Sequence, residues 1–402
     1  MADRVVVVGG GQAGAALVAK LRGEGFSGAA TLIGAEPVPP YQRPPLSKKY
    51  LLGEMAEERL YLKPAAFYAE QGIELVTGTE VTAIDRAAGE VVAGNSRIPY
   101  DALALTTGAL PRLLPAAIGG ELAGVYPVRT LADVDAMAPE VVAGRRVLII
   151  GGGYIGLEAA AVCALKGLKV TLIELAERIL QRVAAPATSD FVRELHRGHG
   201  VDIRESVGLE RLTGTGRVAG AALTTGETLE IDFAIVGIGI VPDTRLAEAA
   251  GLTLENGIAV NGRCLTSDPA IYAAGDCASF PYKGGRIRLE SVQNAIDQAE
   301  HAAKAIMGAE EDYLPYPWFW SDQYDARLQI AGLNTGYDRT VIRPGHRPGG
   351  QSIWYFRGQT LLAVDAISYP KAYMQGKRWI EAGVSPDAGA IANPEIELKS
   401  LT

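Results

Sequence analysis

The 402-residue chain has only three cysteines, and they lie far apart at Cys163, Cys264 and Cys277. No two of them form a C-x-x-C pair, so we expect small buried side chains in a reduced compartment rather than a redox dithiol. The chain also has no apolar run long enough to cross a bilayer, and residues 1–4 lead directly into a hydrophobic stretch. These absences predict a soluble, cytoplasmic protein with no signal peptide, no membrane anchor and no bound metal.

An excess of positive charge is also missing. The 38 Lys and Arg residues are outnumbered by 46 Asp and Glu residues, so the formal net charge is −8. This balance argues against binding to nucleic acid or to an anionic membrane surface. Glycine, by contrast, is abundant at 48 residues, as the tight turns of α/β proteins require. The length suggests two or three domains, each able to bury its own core.

One glycine pattern occurs twice, each time between a short apolar strand and an Ala-rich helical stretch. Residues 5–8 lead into Gly9-x-Gly11-x-x-Gly14, and residues 147–150 lead into Gly151-x-Gly153-x-x-Gly156. In a dinucleotide-binding turn the first glycine makes the bend, the second admits the pyrophosphate, and the third lets helix pack on strand. The helix N-terminus then offers free N–H groups to the phosphates. Two copies predict two dinucleotides, most commonly a flavin and a nicotinamide nucleotide.

The remaining pattern predicts an α/β fold with two Rossmann-like domains, the second inserted in the first. Buried strands at Ala102–Leu105 and 233–236 are expected to close the two nucleotide-binding sheets, and the strand at 271–276 and a helix near 291–308 return to the first sheet. From about Pro317, aromatic strands and Gly/Pro turns indicate an α+β domain. The predicted domains are 1–109 with 243–316 for the flavin, 110–242 for the nicotinamide nucleotide, and 317–402 at the C-terminus.

Acidic residues follow the second strand of each nucleotide-binding unit. Glu174 is placed to accept hydrogen bonds from ribose hydroxyls and to repel a 2′-phosphate. It therefore favours NADH over NADPH, although Arg178 nearby is of the type that accommodates a phosphate. Glu36 is the equivalent acid of the first unit and is expected to hold the other ribose, with a loop glutamate that binds nothing as the alternative.

A stiff proline-rich loop at residues 39–48 carries two cations, Arg43 and Lys48. Because proline fixes the backbone, the loop can hold these charges at defined positions. Arg43 suits a pyrophosphate, whereas Lys48 suits a flavin ring edge or an ion pair with a carboxylate. Glu158, in the first turns of the second nucleotide helix, is a candidate for that carboxylate, and a helix-surface glutamate is the alternative.

The two glycine fingerprints and five longer segments together resemble putidaredoxin reductase and its relatives, over nearly the whole chain. The segments are Arg-Pro-Pro-Leu-Ser-Lys at 43–48, Thr-Thr-Gly at 106–108, Gly-Gly-Gly-Tyr-Ile-Gly-Leu-Glu at 151–158, Gly-Asp-Cys-Ala at 275–278 and Pro-Trp-Phe-Trp-Ser-Asp-Gln at 317–323. The resemblance implies a glutathione reductase-like plan. It further implies an FAD enzyme that passes electrons from NADH to a [2Fe–2S] ferredoxin, which serves a cytochrome P450 or a Rieske oxygenase.

The glycine patterns and the resemblance together assign the residues that contact each cofactor. Those expected at FAD are Gly9, Gly11, Gln12, Ala13, Gly14, Glu36, Arg43, Lys48, Val81, Thr107, Gly108, Arg129, Gly275, Asp276, Val292 and Trp320. Those expected at NADH are Gly151, Gly153, Tyr154, Ile155, Gly156, Glu174 and Gly239. Lys48 and Glu158 are expected to act together beside the flavin. Many relatives have an acid at the position of Ala35, so here Glu36 or a water has to contact the ribose.

Several related flavoproteins share the two-dinucleotide plan. A disulfide reductase or an NADH peroxidase needs a redox cysteine early in the first domain, and this chain has none before Cys163. Rubredoxin- and monodehydroascorbate-type reductases lack that cysteine too and stay open. A signalling flavoprotein resembling apoptosis-inducing factor is a further alternative, against which the acidic balance argues.

A basic segment in the C-terminal domain predicts where an acidic ferredoxin docks. Residues 326–380 contain Asp338 and Asp365 against eight basic residues: Arg327, Arg339, Arg343, Arg347, Arg357, Lys371, Lys377 and Arg378. The segment is therefore +6, and the remainder of the −8 chain is −14. It adjoins Trp320, which the resemblance places near the flavin. A local basic face of this kind attracts an acidic partner.

Overall fold

The computed structural model describes residues 2–401, which form two compact units. Unit 1 consists of the residues up to Arg43, Ala56–Leu110 and Ile240–Pro315. Unit 2 consists of Pro44–Met55, Pro111–Gly239 and the residues from Tyr316 onward. Two short strands, Ala109–Pro111 and Ile240–Pro242, lie where the chain passes between the units.

Unit 1 is built on a five-stranded parallel sheet whose three central strands are buried on both faces over almost their whole length. The strand order is Ile271–Ala273, Ala102–Leu105, Arg4–Val8, Ala29–Ile33 and Ile73–Val76. Such strands are nearly continuous apolar runs because helices cover both faces. The helices of the unit are Gln12–Gly23, Ala65–Glu70, Arg245–Ala249 and Val292–Ile306. Two small sheets complete it: Val81–Asp85, Glu90–Ala93 and Ser96–Pro99, and Ile258–Ala259, Ala278–Tyr282 and Gly285–Ile287.

The long helix of unit 1 begins at a defined cap and packs against the first nucleotide helix. The Ser291 side chain accepts a hydrogen bond from the Asn294 N–H at 3.1 Å, which satisfies one of the free donors of the first turn. The helix has 15 residues and is followed by Gly308 in the left-handed region (φ +101°). Its Ala299 and Ala302 are fully buried, and these small side chains allow close packing against Gln12–Gly23.

Unit 2 repeats the parallel sheet. The strand order is Asp202–Glu205, Lys169–Glu174, Arg146–Ile150, Phe233–Val236 and Val125–Pro127. The associated helices are Leu131–Met137, Tyr154–Leu165 and Pro186–Gly198, and a small antiparallel sheet contains Leu209–Thr213, Gly220–Leu223 and Thr228–Glu230. The segment Leu46–Tyr50 forms a short helical turn that belongs to this unit.

The C-terminal part of unit 2 is an antiparallel sheet covered by two helices. The strand order is Trp318–Gln323, Ala326–Gly332, Thr360–Ile367, Gln351–Arg357 and Arg339–Pro344, and the helices are Pro370–Ala382 and Ala388–Ala392. Gly376 lets the longer helix lie flat on the sheet, because a Cβ there would be 2.5 Å from the Val364 side chain and 3.0 Å from the Trp354 ring.

The predicted fold class is confirmed, with two Rossmann-like sheets, the second inserted in the first, and an α+β C-terminal part. The division into three domains stays a prediction. Within residues 2–401, every helix is too short or too polar to cross a bilayer.

One arginine of the basic segment has a structural role that the sequence did not reveal. Arg343 is only 1% exposed, and its guanidinium donates to the carbonyl oxygens of Ile391, Asn393 and Ile396 at 2.8–2.9 Å. The prediction that it contributes to a docking surface is therefore wrong. Arg343 instead joins residues 391–396 to the edge strand Arg339–Pro344 through these hydrogen bonds. Its charge can be buried because several carbonyl acceptors surround it.

We predict that Arg343→Met destabilises the C-terminal part of unit 2. Its removal leaves buried carbonyl groups without a donor, which should lower the free energy of unfolding by about 3 kcal/mol. Urea unfolding and protease cleavage within residues 391–397 measure the effect. Arg339→Met is the matched control, because Arg339 is exposed, donates to the Gly358 carbonyl at 3.2 Å and lies over the Phe356 ring at 5.2 Å from its centroid. Equal stability of the two variants would contradict the assignment.

Candidate dinucleotide sites and a buried ion pair

The first glycine turn has the geometry that its sequence predicts. A Cβ at Gly9 (φ +121°) would lie 2.2 Å from the Thr106 carbonyl oxygen, and one at Gly14 would lie 2.1 Å from the Gly9 carbonyl oxygen. At Gly11 an added Cβ would meet nothing within 4 Å. The first and third glycines therefore allow close backbone packing, and the second faces the open space that a pyrophosphate needs.

The second turn reproduces these relations in unit 2. A Cβ at Gly151 (φ +108°) would lie 2.4 Å from the Gly237 carbonyl oxygen, and one at Gly156 would lie 2.1 Å from the Gly151 carbonyl oxygen. A Cβ at Gly153 would again meet nothing within 4 Å. Both turns thus fit the pyrophosphate of a dinucleotide at the start of a helix.

Unit 1 brings further predicted residues to the first turn. A Cβ at Gly275 (φ +84°) would lie 3.2 Å from the Ala13 Cβ, so the turn before Asp276 touches the start of the first helix. Thr107 donates its hydroxyl hydrogen to the Asp243 carbonyl at 2.6 Å, and Gly108 follows with φ +71°. Gln12 is the first residue of its helix, Val292 begins the long helix and Val81 is buried at the start of its strand.

Glu36 and Arg43 are bonded to each other, a contact that the sequence did not predict. The Arg43 Nη2 lies 2.6 Å from the Glu36 Oε1, and the Tyr41 hydroxyl donates to the Glu36 Oε2 at 2.6 Å. The guanidinium also interacts electrostatically with Asp276. Because a carboxylate has about four acceptor positions, Glu36 keeps some for a ribose hydroxyl.

In unit 2 the Glu174 carboxylate is held at the second turn. It accepts hydrogen bonds from the Gly152 N–H at 2.7 Å and from the Ala176 N–H at 2.8 Å. Arg178 is directed elsewhere, since its guanidinium donates to the Ser189 hydroxyl and to the Ala184 carbonyl. An acid at the turn and a basic residue already engaged with protein groups both favour NADH over NADPH.

The remaining residues predicted at the nicotinamide site differ in their exposure and contacts. Ile155 is exposed at the start of its helix, and Gly239 (φ +100°) follows the strand that closes the sheet. The Tyr154 ring packs 4.9 Å from the Phe319 ring, and its hydroxyl is buried without a hydrogen-bond partner among residues 2–401. Burial raises the pKa of this hydroxyl, and the Tyr154 ring packs against that of Phe319.

A buried carboxylate on the second nucleotide helix, that of Glu158, pairs with Lys48. Lys48 Nζ lies 2.8 Å from Glu158 Oε2, and the two side chains are 18% and 3% exposed. The short helical turn Leu46–Tyr50 is interrupted at Lys48, whose φ and ψ are −134° and −113°. Of the two interpretations of Glu158 that the sequence left open, the structure excludes the surface glutamate and shows the ion pair.

Other polar groups around Glu158 were missed by the sequence analysis. The Ser47 hydroxyl donates to Glu158 Oε2 at 2.8 Å, and the Ser321 hydroxyl donates to Glu158 Oε1 at 2.7 Å. Gln323 Nε2 donates to the Ser321 Oγ at 3.2 Å. Period-two alternation along the strand Trp318–Gln323 places Ser321 and Gln323 on one face, and this was the available signal.

Trp320 lies on the same strand. It is half-buried, and its ring centroid is 5.7 Å from that of Trp318. Arg129, also in unit 2, donates its backbone N–H to the Asp133 carboxylate at 3.2 Å beside a capped helix start.

The three cysteines are free and buried, as predicted. Burial raises the pKa of Cys163 to about 12 and also raises that of Cys264 and Cys277. Because the thiolate is the reactive form, these side chains are poor redox groups.

Comparison with known proteins assigns the chain to a family. The model of the pyridine nucleotide-disulphide oxidoreductases matches residues 3–299, and the model described as "Reductase C-terminal" matches residues 318–402. A 5,5'-dehydrodivanillate O-demethylase ferredoxin reductase subunit from Sphingobium sp. is 42% identical, over 99% of this chain and 98% of the relative. Putidaredoxin reductase from Pseudomonas putida is 40% identical, over 99% and 96%.

A solved structure agrees with these matches. The reductase in the covalent putidaredoxin reductase–putidaredoxin complex has a TM-score of 0.95, with 40% identity over 99% of this chain and 97% of that one. Sequence and fold agree with these relatives over 99% of this chain. The chain therefore belongs to the pyridine nucleotide-disulphide oxidoreductases and, within them, to the putidaredoxin reductase-like ferredoxin reductases.

Proposed function

We propose that this protein passes electrons from NADH through FAD to a [2Fe–2S] ferredoxin that serves a cytochrome P450 or a Rieske oxygenase. The observation that carries the proposal is the pair of glycine turns, each with an open approach at its middle glycine, in a chain similar over its full length to ferredoxin reductases. A cytoplasmic location is part of the proposal and rests on the three unpaired, buried cysteines.

We assign the first turn to FAD and the second to NADH. In unit 1 the Gly9–Gly14 backbone and Arg43 would hold the pyrophosphate, and Glu36 the ribose. The helix that begins at Val292 would direct the positive end of its dipole toward the flavin, where it favours negative charge. In unit 2 the Gly151–Gly156 backbone and Glu174 would hold NADH.

The bound FAD supplies hydride and single-electron chemistry, and the protein supplies position and electrostatics. Lys48 carries the cation of the proposed site, and Glu158 orients it through the 2.8 Å ion pair. A lysine ammonium has three donor hydrogens, so it can keep its bond to Glu158 and still donate to a ligand. No side chain is required to act as a nucleophile.

A basic and aromatic patch on the C-terminal sheet is proposed to dock the ferredoxin. Lys377 lies 5.4 Å from the Trp318 ring centroid, and Arg327 lies on the strand that pairs with the one carrying Trp320. Arg339 and Arg357 are on the strands at the opposite end of the sheet. Four strand spacings separate the outer strands by about 19 Å. Arg327 and Lys377 adjoin Trp318 and Trp320, and we call these four residues the docking patch.

The direct test is steady-state NADH oxidation by the purified holoprotein with different acceptors. We expect rapid reduction of an acidic [2Fe–2S] ferredoxin, slow reduction of a rubredoxin and slow reduction of monodehydroascorbate. A long-lived flavin–nicotinamide charge-transfer complex with little turnover on any acceptor would instead support a signalling flavoprotein.

We predict that Glu174→Gln raises the kcat/KM for NADPH relative to NADH by about tenfold. The substitution removes the negative charge that faces a 2′-phosphate and keeps the shape of the side chain. Initial rates with both nucleotides measure the ratio. Glu177→Gln, at an exposed position three residues further on, is the control and should leave the ratio unchanged. Equal kcat/KM values for NADH and NADPH in the unmodified protein would rule the role of Glu174 out.

We predict that Lys48→Ala slows flavin reduction by NADH about 100-fold while FAD stays bound, because the site loses a preorganised donor. Stopped-flow bleaching of the flavin absorbance gives the rate constant, and the absorbance itself gives the FAD content. Lys49→Ala is the control, since Lys49 is the exposed neighbour. An unchanged single-turnover rate would refute a role for Lys48 at the flavin.

We predict that reversing Arg327 and Lys377 to Glu lowers kcat/KM for ferredoxin at least tenfold at low salt. Reversal of Arg339 and Arg357 makes the same charge change outside the docking patch. It should have a much smaller effect at physiological ionic strength, where salt screens exposed charges over about 8 Å. Ferricyanide reduction should distinguish the two double variants far less. Equal loss of ferredoxin kcat/KM in both would place docking elsewhere.

A further inference from the structure

A series of hydrogen bonds runs from the Lys48–Glu158 pair to the turn of the C-terminal hairpin. This hairpin consists of the strands Trp318–Gln323 and Ala326–Gly332 and the turn between them. Ser321 donates to Glu158 at 2.7 Å, Gln323 Nε2 lies 3.2 Å from Ser321 Oγ, and His196 Nε2 lies 2.8 Å from Gln323 Oε1. The Tyr324 hydroxyl lies 3.2 Å from His196 Nδ1. All of these residues belong to unit 2. We call Ser321, Gln323, His196 and Tyr324 the Glu158 chain.

The protonation state of His196 gives this chain a direction. His196 is fully buried, and burial lowers its pKa to about 4, so the imidazole is neutral near pH 7. A neutral imidazole has one donor and one acceptor nitrogen. With Gln323 Oε1 accepting from Nε2–H, the other nitrogen accepts from the Tyr324 hydroxyl. Every bond then donates toward the Glu158 carboxylate, and such aligned bonds polarise one another.

A buried carboxylate requires this kind of support. Removing a charge from water is costly unless ion pairs and hydrogen bonds satisfy it. Lys48 and Ser47 both donate to Glu158 Oε2, whereas within residues 2–401 Glu158 Oε1 accepts a hydrogen bond from Ser321 alone. Loss of the Ser321 hydroxyl would leave one carboxylate oxygen buried without a donor, and Glu158 would then reorient or protonate.

Tyr324, at the end of the Glu158 chain farthest from Glu158, has an unfavourable backbone conformation. Tyr324 follows the strand Trp318–Gln323 and has φ +54°, in the left-handed region that favours glycine. Its ring stacks on that of exposed His199 at 3.6 Å between centroids. A tyrosine at this position places its hydroxyl on His196, which a glycine could not do.

We propose that Ser321 and Gln323 are positioning residues for Lys48: by donating along the chain they fix the Glu158 carboxylate, which in turn fixes the Lys48 ammonium. The inference rests on the proposed role of the Lys48–Glu158 pair at the flavin. It extends that role from two residues to a network that reaches the end of the hairpin.

The experiment compares Ser321→Ala, Gln323→Leu and the conservative Ser321→Thr, alone and in a Glu158→Gln background. Ser352→Ala is the matched control, because Ser352 is also fully buried in the C-terminal sheet but bonds to Trp354 instead. Two quantities are measured on the FAD-loaded protein: the single-turnover rate of flavin reduction by NADH, and the ¹⁵N NMR signal of the Lys48 ammonium, assigned with Lys48→Ala. Thermal unfolding and FAD content verify that each variant folds.

We expect Ser321→Ala to slow flavin reduction about tenfold at an unchanged half-saturating NADH concentration, the order of effect of one lost bond to a charged group. Gln323→Leu loses a bond to the neutral Ser321 hydroxyl, so we expect it to slow the reaction about threefold. Both should also broaden the Lys48 signal through faster proton exchange. Ser321→Thr and Ser352→Ala should retain the rate and the signal. In the Glu158→Gln background, Ser321→Ala should add less than a twofold effect, because residues that act through one another are not additive.

Three results overturn the inference alone, and one overturns its premise. Full additivity in the Glu158→Gln background, or an equal effect of Ser352→Ala, would show general loosening of the sheet. A normal rate and a sharp Lys48 signal in Ser321→Ala, when Lys48→Ala itself is slow, would show that the chain does not position Lys48. A normal rate in both Lys48→Ala and Glu158→Gln would refute the proposed role of the pair, and the inference with it.

Discussion

The burial of the Glu158 charge is the constraint on which the arrangement of unit 2 depends. The carboxylate is 3% exposed and takes hydrogen bonds from segments that are far apart in the sequence, the Lys48 turn and the strand of Ser321. Because an unpaired buried carboxylate is so unfavourable, these segments cannot separate from the nucleotide helix without exposing or neutralising the charge. The same interaction that stabilises the unit therefore also fixes the cation proposed to act beside the flavin.

The two nucleotide-binding turns have the same backbone geometry but different side-chain contacts. In both turns a Cβ added to the third glycine would lie 2.1 Å from the carbonyl oxygen of the first glycine, and a Cβ added to the second glycine would meet nothing within 4 Å. That part of recognition is identical and requires only the absence of side chains. The acids differ: Glu36 is tied to Arg43, whereas Glu174 is tied to the backbone of its own turn. The two turns thus differ in the contacts of their neighbouring acids and not in their backbone geometry.

The C-terminal sheet combines a structural and an electrostatic use of basic residues. Arg343 donates to backbone carbonyl groups in the interior, and Arg339 and Arg357 lie on strands remote from Trp318 and Trp320. The cations that adjoin Trp318 and Trp320 are fewer than the +6 segment suggests, and Arg327 and Lys377 have acidic neighbours at 3.8 Å. A patch of two tryptophans and two partly compensated cations favours attraction that is local and sensitive to salt.

The sequence alone determined the features that arise from short-range sterics and periodicity. These are the two glycine turns, the buried parallel strands, the order of the nucleotide-binding units, and the candidate acids and cations, because each depends on neighbours within one strand–turn–helix segment. Tertiary structure decided the partners: Glu36 with Arg43, Lys48 with Glu158, His196 with Gln323, and Arg343 with the C-terminal carbonyls. The last three join residues at least 48 positions apart. Which polar groups meet inside a protein is decided by how its sheets and helices pack, and a one-dimensional pattern does not contain that information.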